Sequence, residues 1–219
     1  MSREERRERN KEAMRKLILD AATEIMGEDG IKKFSIRKLA DRIEYSPAII
    51  YHYFKNKETL LDHILTSGYQ KIIAAITSAN SPTQSPVERL KKMTSEYILT
   101  ASSMQQEYMT AELSSSPDIL KFTAVLSKGA STTKPALGVL CQCLRDIHHN
   151  SPLPESEIEL RAQMIVIAVF GLIMKVHIEI YLLNNEDVNR LFRHFIDVTV
   201  LEIAGVRIIY QEALNEAVF

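Results

Sequence analysis

Between Ser35 and Lys57, in the stretch SIRKLADRIEYSPAIIYHYFKNK, the chain gathers side chains suited to holding an anion: Ser35, Arg37, Ser46, Tyr51, His52, Lys55 and Lys57. Hydroxyls, guanidinium and ammonium groups, together with the N–H groups at helix N-termini, hold a phosphate backbone in register. Position adds to the signal. The first turn of a helix carries partial positive charge and ordinarily favours Asp or Glu, yet Ser35 is followed by Ile36, Arg37 and Lys38 with no acid. For any one of these cations a solvated face is the plain alternative. Their concentration beside Tyr51 and His52 points to a polyanion instead.

These groups need short, rigid elements to present them. Ile36, Leu39, Ala40 and Ile43 recur at i, i+3, i+4 and i+7, which predicts a helix over 36–43 with Ser35 as its N-cap. After a break at Glu44-Tyr45, Ser46 and Pro47 predict a second cap with proline at the first helical position. The helix over 47–54 then turns Ile50, Tyr53 and Phe54 inward and leaves Ala48, Ile49, Tyr51 and His52 outward. Two short helices joined this tightly make a helix-turn-helix. The buttress is a preceding helix over about 12–29, with Ala13, Leu17, Ile18, Ala21, Ala22, Ile25 and Met26 on one face, stopped by Gly30. Residues 1–12 mix both charge signs without an apolar stripe and are expected to fray. Arg3, Arg6, Arg7 and Arg9 are either an arm along a polyanion or a solvated extension.

Composition narrows the class. The 219 residues are 46% hydrophobic and 25% charged, which excludes wholesale disorder. Net charge is −1, unevenly spread: residues 1–57 hold 14 Lys and Arg against 10 Asp and Glu, and the remainder 13 against 18. A basic N-terminal module on an acidic body fits nucleic-acid contact at one end. Cys141 and Cys143 lie two apart in a helical stretch, face opposite sides and read as reduced thiols of a cytoplasmic protein. The charged N-terminus is no signal peptide. The most apolar run, Met164 to Met174, is too short to span a membrane before Lys175, His177 and Glu179 interrupt it.

The expected fold class is all-α: a three-helix DNA-contacting domain over 1–57 and a helical dimerisation domain over 58–219, to which the resemblance given below adds effector binding. A connecting helix runs over about 57–78, and NSPTQSP at 80–86 is the clearest linker. The last two helices, 155–183 and 186–212, carry Phe170, Met174, Ile178, Phe195, Val198 and Ile203 among apolar residues around most of their circumference. A second copy of the chain is the economical cover for the surplus. Cys141, His148 and His149 lack further ligands at zinc-like spacing, so no metal is expected, and the histidines suit a helix C-terminus. No nucleophile–base arrangement, phosphate loop or dinucleotide fingerprint is present, so neither an enzyme nor a cofactor is expected.

Residues 17–65 resemble the TetR family of bacterial transcriptional regulators. The likeness is carried by Ile18 to Ala22, by SIRKLADRI, and above all by Ile50-Tyr51-His52-Tyr53-Phe54 followed by Lys55-Asn56-Lys57 and Leu60-Leu61. The resemblance implies a homodimeric repressor whose recognition helices enter the major groove of a palindromic operator, released when a small, mostly apolar effector binds the body. An alternative within the family is a DNA-bound adaptor that recruits a protein and holds no small molecule. By position, Ser35, Arg37, Tyr51 and Lys57 would contact phosphate, Lys55 would lie beside them, and Ser46, Pro47, Ala48, Ile49 and His52 would face base edges. Tyr97, Met104, Tyr108, Met109, Phe122, Cys141, His177 and Tyr181 lie on helices that enclose effectors in relatives, with plain core packing as the alternative for each. Two departures stand out. Glu44 occupies a turn position where glycine is common, so strain is expected there, and Pro47-Ala48-Ile49 makes the reading surface unusually apolar, suited to thymine methyl contact or DNA shape.

Overall fold

The computed structural model describes residues 2–81 and 83–206. Among them there are helices and no strands: α1 (Arg3–Asp29), α2 (Ile36–Arg42), α3 (Pro47–Tyr53), α4 (Lys57–Ala79), α5 (Pro86–Ser103), α6 (Gln105–Glu112), α7 (Pro117–Thr123), α8 (Pro135–Ile147), α9 (Glu155–Glu179) and α10 (Asn185–Phe195). A 3-10 turn, Ile180–Leu182, extends α9, while a π-helical turn, Ile196–Val200, and a last α-turn, Leu201–Ile203, extend α10.

Two compact units emerge, and neither boundary is at residue 57. The first comprises residues up to Lys71 together with Ser103–Thr123; the second comprises Ile72–Ser102 and Ala124 onward. The reason lies in the first unit's core. Ile18, Ala22, Ile25 and Met26 of α1, Phe34, Leu39, Ile50 and Phe54 are buried together with Leu60, Ile64 and Leu65 of α4, Ala111 of α6 and Ile119 of α7. A three-helix module of this size hides too little apolar surface alone, and the first turns of α4 with α6 and α7 supply the missing layer. Each such fully buried Leu, Ile or Phe contributes about 1.5–3 kcal/mol of transfer free energy.

The helix α1 begins nine residues earlier than the apolar stripe predicts. Ser2 Oγ accepts from Glu5 N (3.1 Å) and the Glu5 carboxylate accepts from Ser2 N (2.7 Å), a reciprocal capping box. The far end also differs. Helix was expected to 212, but Gly205 adopts φ +77 and the helix stops at Ile203; residues beyond 206 lie outside those described. Arg161 Nη1 donates to Ile203 O (2.9 Å), and His148 Nε2 meets Ala204 O (2.7 Å), so side chains satisfy carbonyls that the helix end leaves open.

In the second unit α8 packs along α9, burying Leu137, Leu140, Cys141 and Leu144 with Ile158, Ala162, Ile165, Val169, Ile173 and Val176. Polar bonds fix their register. Glu159 accepts from Gly129 N (2.8 Å) and Ser131 N (2.9 Å), which holds its carboxyl below the usual range. Arg145 forks onto Glu155 at 3.0–3.1 Å. Cys141 and Cys143 are free and buried, and burial pushes both thiols up to about 11.

Within one chain, α9 is covered on one side only. One face is buried, while Leu160, Met164, Ile167 and Ile178 are exposed, Ile178 at 64%. With Gly171 and half-buried Met174 they follow alternating steps of four and three residues, a continuous apolar stripe. Phe170, Met174, Phe195, Val198 and Ile203 are half-buried within the chain. The segment Glu155–Leu182 is long and apolar enough, by length and composition, to cross a membrane, a longer stretch than Met164–Met174. Its cations are paired, Arg161 with Glu157 and Lys175 with Glu179.

Candidate nucleic-acid interface

The turn between α2 and α3 is built where the sequence departs from glycine. Glu44 has φ +58, the one non-glycine residue with positive φ among those described. A side chain there costs about 1–2 kcal/mol relative to the right-handed region. Tyr45 N reaches back to Ala40 O (3.0 Å), closing the turn.

Ser35 caps α2 as expected, its Oγ accepting from Lys38 N (3.2 Å). Ser46 does not cap α3 with its side chain. Pro47 offers no N–H, Ile49 N is bonded to the Ser46 carbonyl (3.0 Å), and Ser46 is exposed.

The cations of α2 divide into two kinds. Lys38 is ion-paired with Asp29, and Arg42 with Glu28 (2.6 Å) and Glu24 (3.6 Å). Arg42 holds the Glu28 carboxyl below the usual range, and Lys38 does the same to Asp29. These pairs pin α2 to the end of α1, where acids otherwise sit unfavourably on the helix dipole. Arg37, by contrast, is exposed and has no ion pair among the described residues.

On α3, Ile50 and Phe54 are buried and Tyr53 half-buried, while Pro47, Ala48, Tyr51 and His52 are exposed and Ile49 is half-buried. Tyr51 is 53% exposed. Lys55 is exposed just beyond the helix. The surface therefore gathers Arg37, Ser46, Tyr51, His52 and Lys55 within one module, around the short apolar patch Pro47-Ala48-Ile49. Lys57 differs: its Nζ donates to Phe34 O (2.6 Å) and lies 5.4 Å from the Phe34 ring centroid, so it also ties α4 to the loop before α2.

Arg15, which the apolar pattern gives no reason to single out, fixes the far end of α3. Its guanidinium lies 4.5 Å from the Phe54 ring centroid and donates to Tyr53 O (3.4 Å) and to His63 Nε2 (2.9 Å). Burial and the Arg15 charge push the His63 imidazole down, so at neutral pH it accepts as a neutral ring. A cation at the C-terminal carbonyls of α3 also complements the helix dipole.

The residues expected around an effector are divided between the two units. Tyr97, Cys141 and His177 belong to the second unit, and Met104, Tyr108, Met109 and Phe122 to the first. Tyr97, Tyr108 and Cys141 are buried, and Phe122 packs against Tyr69 with ring centroids 5.9 Å apart. Tyr181 is corrected: α9 has ended at Glu179, and the following 3-10 turn leaves this side chain 97% exposed. His177 Nδ1 is buried without a hydrogen-bond partner. Beside Tyr69, burial pushes the Glu112 carboxyl up to about 7. Among the described residues no group of three or more His, Cys, Asp or Glu is placed to hold a metal ion.

A short capped helix, a tight turn and a second helix presenting exposed polar groups, carried on an all-helical chain, make a helix-turn-helix. Residues 18–64 match the family described as "Bacterial regulatory proteins, tetR family". The likeness to this family lies in the N-terminal module, about a fifth of the chain. An HTH-type transcriptional regulator of Saccharopolyspora erythraea is 31% identical over 64 residues, 29% of this chain and 27% of that protein. The chain thus matches about a quarter of that curated relative. Likeness of fold extends further. The TetR family transcriptional regulator PfmR from Thermus thermophilus superimposes with TM-score 0.64 at 20% identity, covering 84% of this chain and 97% of that one. FadR from Bacillus subtilis, in complex with stearoyl-CoA, gives TM-score 0.65 at 18% identity over 87% and 98%.

Proposed function

We propose that the chain is a homodimeric repressor that reads a palindromic operator with α3 and leaves it when a small, mostly apolar effector binds. The observation that carries the DNA reading is the division among cations. Lys38 and Arg42 are engaged by acids of α1, whereas Arg37, Lys55, Tyr51 and His52 stand exposed around one helix face. Internal pairing accounts for the first set, and phosphate accounts for the second. Ser35, Arg37, Tyr51, Lys55 and Lys57 hold the backbone; Ser46, Pro47, Ala48, Ile49 and His52 face the bases. The apolar centre of that surface reads thymine methyl groups and groove shape more than paired donors and acceptors.

The α9 stripe supports the dimer. Leu160, Met164, Ile167 and Ile178 are exposed in one chain, and a two-fold axis would bury each stripe against its copy. Residues Phe170, Met174, Phe195, Val198 and Ile203 flank that contact. Two heads so joined fit half-sites about 34–36 Å apart, one helical turn of DNA. For the effector, buried His177 Nδ1 is a polar handle awaiting a partner among apolar residues, with Tyr97 and Cys141 in the same unit.

Selection of bound sequences from a random DNA pool tests the reading. The expected product is an inverted repeat with one-turn spacing. Enrichment of no sequence, or of an unpaired half-site, would overturn it.

A further inference from the structure

The unit that carries α2 and α3 has a groove apart from their exposed face. A groove of about 620 Å³ opens between α1, the first half of α4 and the start of α6. That volume is within the range of small-molecule pockets, about 300–1,000 Å³. Its walls divide by depth. Glu12, Lys16, Asp20 and Lys71 are exposed on the rim, while Ile64 and Gly68 are buried beneath half-buried Leu19 and Met104.

One charged group belongs to the floor. Glu107 is only 9% exposed, lines the groove, and has no hydrogen bond or ion pair among the described residues. Helix α6 places this acid next to a glycine. A Cβ at position 68 would come within 3.3 Å of Met104 Sδ and 3.8 Å of Glu107 Cβ, so Gly68 keeps the space in front of the carboxylate open. An unpartnered acid on an apolar floor, with room before it, is complementary to a cation that carries its own apolar surface.

We infer that this groove binds an aliphatic ammonium compound, its charged head on Glu107 and its chain along Leu19, Ile64 and Met104. The site is separate from the effector residues proposed in the second unit. Its binding is read on the protein alone, so its failure and failure of the DNA reading are distinguishable.

The test is calorimetric titration of the full chain with n-octylamine, n-octanol and octanoate at neutral pH. The amine should saturate one site per chain and bind at least tenfold more tightly than the alcohol or the acid. Glu107→Gln, which preserves shape and removes charge, should weaken the amine at least tenfold and leave octanol unchanged. Gly68→Leu, which fills the groove and puts a better helix former in α4, should abolish binding with the melting temperature maintained. Equal binding of octanol, full affinity in Glu107→Gln, or no saturable binding of the amine would each overturn the assignment.

Discussion

The two compact units expose opposite kinds of surface. In the first, apolar residues of α1 to α4, α6 and α7 close over one another, and what remains outside on and just beyond α3 is the Tyr51 hydroxyl, the His52 imidazole and the Lys55 ammonium around a short apolar patch. In the second, α9 buries one face and leaves Leu160, Met164, Ile167 and Ile178 bare. The difference teaches what each unit lacks. A polar, cationic face is stable in water and gains by meeting phosphate. An apolar stripe along a helix of this length is a standing cost in water until a similar surface covers it.

The comparison breaks most easily at α9. Met164→Glu with Ile167→Glu should raise the dissociation constant of the proposed dimer at least about a hundredfold, roughly 3 kcal/mol, because carboxylates would be buried unpaired. Sedimentation equilibrium reads this directly, and an unchanged dimer would mean that the stripe is covered by something else. Within the first unit, Glu112→Gln should stabilise by about 3 kcal/mol above pH 7, since burial raises this carboxyl from 4.5 to about 7. The sign follows from the shift: below 4.5 the acid is protonated in both folded and unfolded chains and the gain vanishes, and it grows as pH rises towards 7. Denaturant melts across that range check it.

Smaller effects probe the polar face. Arg37→Ala and Tyr51→Ala should each weaken operator binding by roughly tenfold, about 1.4 kcal/mol, with Arg37→Ala lowering the salt slope by about one ion. Electrophoretic shifts at several salt concentrations measure both, and loss confined to one operator sequence would make either residue a base reader. Glu44→Gly should raise stability by about 0.5–1 kcal/mol, visible as a higher melting temperature, because glycine adopts positive φ without steric cost.

The helix-turn-helix was legible because its punctuation is local. Ser35, Ser46-Pro47 and Gly30 each act on backbone groups within a few residues, so α2 and α3 fall within a residue of their expected ends. The start of α1 was readable by the same chemistry, since Ser2 and Glu5 stand at capping-box spacing, but the apolar stripe is silent there. Gly205 was a local stop signal hidden beneath a strongly apolar run. What the sequence does not contain is which apolar face a helix keeps. Ile165 and Ile167 are alike as residues, and only the packing of α8 decides that one is buried and the other bare. Arg15 and the acids of α1 were likewise invisible, because their partners come from α2, α3 and α4.

Lys57 carries a consequence for binding kinetics and thermodynamics. A free lysine has about 2 kcal/mol of rotamer entropy to lose when it settles on a phosphate. With Nζ already fastened to the Phe34 carbonyl, much of that ordering is complete when the chain folds. A preorganised charge of this kind gives up less freedom on association. Lys57→Arg would keep the charge and lose the fit to a single carbonyl, so Lys57 is a position where the conservative replacement should bind operator more weakly with no change in net charge.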